Sequence, residues 1–167
     1  MKAQKRGQMK MSFGMIFSII LMIVFVSVAF YAIQKFLELQ NSTQIAKFAR
    51  DLQEDVDKMW KGSQGSQSQT YFLPSKIDYV CFIDYISSEY GRYDDFFSEL
   101  DQFYYENENL FFYPPGSAEG LDSKEIKHID LDKMTNSENP FCTKNTKGKV
   151  KMVIKKEFGE ALVTITD

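Results

Sequence analysis

The chain has 167 residues, 44% of them hydrophobic and 26% charged, and a formal net charge of -3. All 23 acidic residues follow Ile33, whereas Lys2, Lys5, Arg6 and Lys10 precede it, so the bulk of the chain is acidic and nucleic acid is a poor partner for it. Two cysteines and one histidine match neither a zinc spacing nor a C-x-x-C redox pair.

Residues 1–12 form a basic segment with no acidic member. Positions 13–33 then run without a charge, and a helix of that length covers about 30 Å of hydrocarbon, a full crossing. The positive-inside rule keeps the basic flank in the cytoplasm and sends the remainder outside, which predicts a single-pass protein of the cell membrane with an extracellular C-terminal domain. A cleaved signal peptide is the competing reading, since Ser27-Val28-Ala29 offers a small-x-small site. Against it, apolar residues continue through Phe30, Tyr31, Ala32, Ile33, Phe36 and Leu37.

Over residues 34–61, Ile45, Phe48, Leu52, Val56 and Met59 recur at spacings of three and four with charges between them, the pattern of an amphipathic helix. No proline interrupts positions 13–61, so span and stalk are expected to form one rod of roughly 70 Å. Residues 62–69, all Gly, Ser and Gln, have the composition of a flexible linker. The extracytoplasmic head is expected over 70–167.

In the head, Ile77, Tyr79, Cys81 and Ile83 alternate on one face of a strand over 76–84. Asp94 and Asp95 open a short helix that aligns Phe96, Leu100 and Phe103. Residues 109–113 read as a strand stopped by Pro114-Pro115-Gly116, and 125–131 as a weaker strand broken by His128. Val150, Met152 and Ile154, then Ala161, Val163 and Ile165, alternate with polar residues and predict a hairpin turning near Phe158-Gly159. The fold class expected is α+β: a long N-terminal helix followed by a small antiparallel sheet with one short helix.

Cys81 and Cys142 are the only thiols of an exported head and are expected to pair as a disulfide. His128 has no adjacent serine or cysteine motif, so it predicts no triad, and no catalytic residue, metal ligand or cofactor is expected. Asp94, Asp95, Glu99, Asp101, Glu106 and Glu108 lack the ligand spacing of a calcium loop and read as a solvated face. Phe103, Tyr104, Tyr105, Phe111, Phe112 and Tyr113 read as core or as a partner surface. Asn41-Ser42-Thr43 carries an N-glycosylation sequon at Asn41.

The run Lys5-Arg6-Gly7-Gln8 lies five residues before the apolar helix. It resembles the class III, prepilin-type signal of archaeal type IV pilins. The resemblance implies cleavage by a membrane prepilin-type peptidase after Gly7, a mature chain beginning at Gln8, and an uncut apolar helix that packs against other pilin-like subunits, in a homo-oligomer or with relatives. The family pattern places serine third and an acidic residue fifth in the mature chain, whereas here Lys10 and Ser12 stand there. The leading expectation is a membrane-anchored, pilin-like structural subunit. The alternative is a monomeric anchored binding module, and an enzyme ranks third.

Overall fold

A computed structural model describes residues 13–167. Contacts divide the chain after Glu38 into an N-terminal unit and a second unit, Leu39–Asp167. Helix α1, Phe13–Lys61, supplies residues to both.

In the N-terminal unit the described side chains are all exposed, Phe13 at 84% and Phe25 at 69%. The hydroxyls of Ser18 and Ser27 donate to the carbonyls of Gly14 and Ile23, each at 2.8 Å. Both polar groups are therefore paired within the helix, as a hydrocarbon solvent requires. This one helix near the N-terminus is long and apolar enough to cross a membrane.

From Leu39 onward the apolar residues of α1 narrow to a stripe, and Ile45, Phe48, Leu52 and Val56 are buried. Gly62 closes the helix by donating its N–H to Met59, and Lys156 Nζ donates to the carbonyls of Trp60 and Gly62 at 2.6 and 3.0 Å. A cation at the carbonyl end of a helix satisfies free acceptors and opposes the dipole.

Two antiparallel sheets follow. Strands β1 (Gly65–Phe72), β6 (Lys149–Lys156) and β7 (Thr164–Thr166) form one, in the order β1-β6-β7. Strands β2 (Tyr79–Phe82), β3 (Leu110–Tyr113), β4 (Ser123–Lys124) and β5 (Phe141–Lys144) form the other, in the order β4-β3-β2-β5. The larger core joins the α1 stripe, Val150, Met152, Ile154 and Ile165 of the first sheet, and Val80, Phe82, Leu110 and Phe112 of the second. Phe48 stands at its centre, with ring centroids 5.4 Å from Tyr71 and 5.8 Å from Phe112.

The opposite face of β2 and β3 belongs to a smaller core of Cys81, Ile83, Phe111, Cys142 and Leu100, the last from helix α2, Asp94–Asp101. Cys81 and Cys142 face each other in the β2–β5 register and are disulfide-bonded. A strand buried on both faces loses the polar alternation of a half-exposed one.

The α+β class, the helix at Asp94, the strand before Pro114 and the C-terminal hairpin agree with the sequence. Three expectations need correction. The segment 62–69 is no flexible linker, because from Gly65 it is β1, paired over eight residues with β6. Met59 crosses close to Gly65, where a Cβ would lie 2.9 Å from its Sδ and displace that flexible side chain.

The strand expected over 125–131 is not formed either. Only Ile129 makes an isolated bridge, to Val163, His128 has φ +65, and Leu131–Thr135 is a short helix, α3. The strand expected over 76–84 is trimmed to Tyr79–Phe82, and Ile77 packs in the larger core rather than with Cys81 and Ile83.

Candidate functional site

Three features of the described residues have the geometry of functional surfaces: the exposed apolar helix, a junction around His128, and a groove beside β1. The first is chemically simple. Residues 13–33 offer hydrocarbon, the two satisfied serine hydroxyls and, near the end, the exposed Tyr31 ring, a surface that lipid tails or other apolar helices complement.

The junction joins the end of α1 to the loop before α3. The ring of His128 stacks on that of Trp60 at 3.8 Å and 5°, and its Nδ1 lies 3.0 Å from Asp57 Oδ1. Gln53 holds the same loop, accepting from the Lys127 N–H at 2.8 Å and donating to Asp57 at 2.8 Å. The hydrogen bond from His128 holds the Asp57 carboxyl below the usual carboxylate range, with a smaller contribution from Gln53. A histidine oriented by a carboxylate is one part of a nucleophile-activating system. Among the described residues, however, no serine, threonine or cysteine hydrogen-bonds the other ring nitrogen, and both cysteines are in the disulfide. The contacts that are present pin the loop to α1.

The groove, of about 570 Å³, lies between α1 and β1. Within its lining Lys47 pairs with Asp51 and Lys58 with Asp55 at 3.2 Å, while Glu54 is met at 3.8 Å by Arg50 from outside the groove. The Tyr71 hydroxyl donates to Asp55 at 2.9 Å. Burial, reinforced by that carboxylate, raises the Tyr71 hydroxyl far above its ordinary pKa and keeps it neutral. Such a lining offers no cluster of like charges to hold an ionic ligand.

The acidic set does not converge. Asp94, Asp95, Glu99, Asp101 and Glu106 are exposed, and among the described residues no group of carboxylates, histidines or cysteines is placed to hold a metal. The aromatic set divides: Phe111 and Phe112 are fully buried, while Tyr104 and Tyr105 remain 44% and 76% exposed. Asn41 lies within α1, half exposed, and Thr43 of its sequon donates to the carbonyl of Leu39. Gly7 and Gln8 lie outside the described residues.

The sequence did not point to Asp57, Gln53 or Trp60. The one available signal was the chain's only tryptophan, placed at the end of the α1 stripe. In comparisons with protein-family models, with curated proteins and with solved structures, nothing matches this chain.

Proposed function

We propose that this chain is a membrane-anchored, pilin-like structural subunit that is cut after Gly7, displays its head outside the cell and assembles through its N-terminal helix. The observation that carries the reading is α1 itself. One helix contributes both the exposed apolar surface of residues 13–33 and the buried stripe Ile45, Phe48, Leu52 and Val56, with no loop between them. The second unit completes its own core, so the apolar surface of residues 13–33 is left to pack against lipid or against like helices, as a subunit held by helix packing uses it. The Lys5-Arg6-Gly7-Gln8 run supports the same reading, and the basic flank supports the orientation. In this account the head performs no chemistry and needs no cofactor.

Removing residues 1–7 deletes three of the four cytoplasmic positive charges and leaves the apolar surface intact. Retention at the inner face weakens while the packing surface survives. The test is co-expression with a prepilin-type peptidase, comparing wild type with Gly7→Leu by intact mass and electron microscopy. Wild type is expected to lose residues 1–7 and form filaments, and Gly7→Leu to remain full-length, inserted and unassembled. Wild type that stays full-length and dispersed in the membrane would favour the anchored binding module, with Tyr104 and Tyr105 as its exposed aromatic contacts.

A further inference from the structure

The turn between β5 and β6 gathers positive charge that the fold does not neutralise. Between positions 62 and 167, Lys76, Lys127, Lys133 and Lys155 each pair with a glutamate, and Lys156 caps α1. Apart from Lys124, the lysines of that stretch that form no ion pair with a described residue are Lys144, Lys147, Lys149 and Lys151.

The backbone that carries them is held firmly. Thr146 and Lys149 exchange both backbone hydrogen bonds, at 2.8 and 3.2 Å. Lys147 and Gly148 between them have φ +54 and +80, as a two-residue hairpin turn requires. The Leu73 N–H donates to the Gly148 carbonyl at 3.1 Å, and the Asn145 N–H to that of Asp78 at 2.7 Å. The buried Asn145 amide donates to the carbonyls of Pro74 and Ile77 at 3.0 and 2.7 Å. Lys149 and Lys151, two apart on β6, stand on the face opposite the buried Val150 and Met152.

Beside this turn lies a half-open hollow of about 390 Å³, lined by Thr143, Lys144, Thr146, Lys149, Lys151 and Asp167. That volume is within the range of small-molecule sites. Three ammonium groups stand against one carboxylate, and none of the three makes an ion pair with it. A concave wall dominated by one sign focuses potential and concentrates counter-ions. Thr143 is an independent sign. The residue is only 4% exposed, and its hydroxyl is buried with no hydrogen-bond partner among the described residues. A buried hydroxyl left unsatisfied costs free energy, which a ligand oxygen would offset.

We infer that this hollow binds a small polyanion bearing carboxylate or phosphate groups. Lys144, Lys149 and Lys151 supply the cations, Thr143 and Thr146 the hydroxyls, and Asp167 limits how much negative charge is accepted. Phe72 is the one side chain seated against these ammonium groups, its ring centre 6.0 Å from Lys149 Nζ, and a ring face leaves the lysine's hydrogen-bond donors to the ligand. A concave, hydroxyl-lined wall fits a compact solute, whereas a bilayer surface calls for a flat or convex basic face. The site is independent of the pilin-like reading, because it uses no residue before position 143.

Isothermal titration calorimetry on the full chain, in neutral detergent at low salt, would compare citrate, pyrophosphate and acetate. Citrate or pyrophosphate is expected to bind one-to-one and about tenfold tighter than acetate, with an affinity that falls as sodium chloride is added. The tighter of the two tells carboxylate from phosphate as the preferred group. Lys149→Gln and Lys151→Gln together should weaken binding about tenfold. Thr143→Val should weaken it about threefold without lowering the unfolding temperature, since it keeps the shape and removes an unpaired hydroxyl. Asp167→Asn should tighten it. Lys124→Gln removes the same charge on β4, at the opposite edge of the sheet from β5, and should leave it unchanged. Failure of both polyanions to bind saturably, a loss in Lys124→Gln equal to that of the double variant, or a Thr143→Val chain that binds as wild type would overturn the inference. None of these outcomes touches cleavage at Gly7.

Discussion

Residues 13–38 and Leu39–Asp167 treat apolar surface in opposite ways. In the first unit phenylalanines such as Phe25 stand exposed, and in the second Phe48, Phe82, Phe111 and Phe112 are buried to 2% exposure or less. The head completes its own core, so its stability is a property of the chain. The N-terminal unit leaves its surface to be covered by lipid or by other helices, so its free energy depends on the surroundings. Identical residue types therefore complete a core in one region and stand exposed in the other.

Paired truncations sharpen that contrast most. Phe48→Ala is expected to cost the head about 3–5 kcal/mol, because it opens a cavity where α1 meets both sheets. Phe25→Ala should change head stability by less than about 0.5 kcal/mol. Denaturant unfolding followed by near-UV circular dichroism reads both, and an equal loss in the two variants would erase the distinction between the units.

The disulfide comes next. Cys81 and Cys142 are separated by 61 positions, and closing such a loop stabilises by at most about 4 kcal/mol in the chain-entropy account. The double alanine variant should lower the head's unfolding temperature and leave the helicity of 13–38 unchanged. Two alkylatable thiols in protein taken without reductant from its native compartment would contradict the bridge.

Asn139→Ala ranks third. The fully buried Asn139 accepts from the Asp84 N–H at 3.1 Å and donates to the carbonyls of Asp84 and Ser88 at 2.8 and 3.2 Å. Removing it strands those groups, at a cost of about 2–3 kcal/mol by the same unfolding assay.

These polar ties also explain what the sequence could show. Stripe, alternation and turn residues sufficed for the buried part of α1, for α2, for β3 and for the β6–β7 hairpin, where local pattern and tertiary packing agree. They failed where distant partners decide. The Gly-Ser-Gln run becomes a strand only because β6 lies beside it with Val150, Met152 and Ile154 facing the core. Residues 125–131 carry buried Ile126 and Ile129, yet their backbone is held by side-chain amides. Asn109 exchanges two bonds with Ile126, and Gln53 bonds Lys127. The contact of His128 with Asp57 joins residues 71 positions apart, a separation that no local periodicity reports.

The smallest expected effect is electrostatic. Asp57 is held below its ordinary pKa of 3.8 chiefly by the His128 hydrogen bond, and Asp51 chiefly by the Lys47 hydrogen bond. A depressed carboxylate stabilises the fold above its unfolded pKa, and that contribution is lost as pH falls through the folded value. Head stability should therefore decline below about pH 4, and less steeply in Asp57→Asn. At the other extreme, Tyr71 is raised above its ordinary value of 10.0. Its contribution is complete below that pH and is lost as pH rises beyond it, so Tyr71→Phe should flatten the alkaline limb.

The central claim is that the N-terminal helix is an assembly surface released by cleavage and is more than an anchor. N-terminal sequencing of the protein isolated from its native membrane and surface fractions tests it most directly. The account predicts a chain beginning at Gln8, and a chain that still begins at Met1 in every fraction would contradict it.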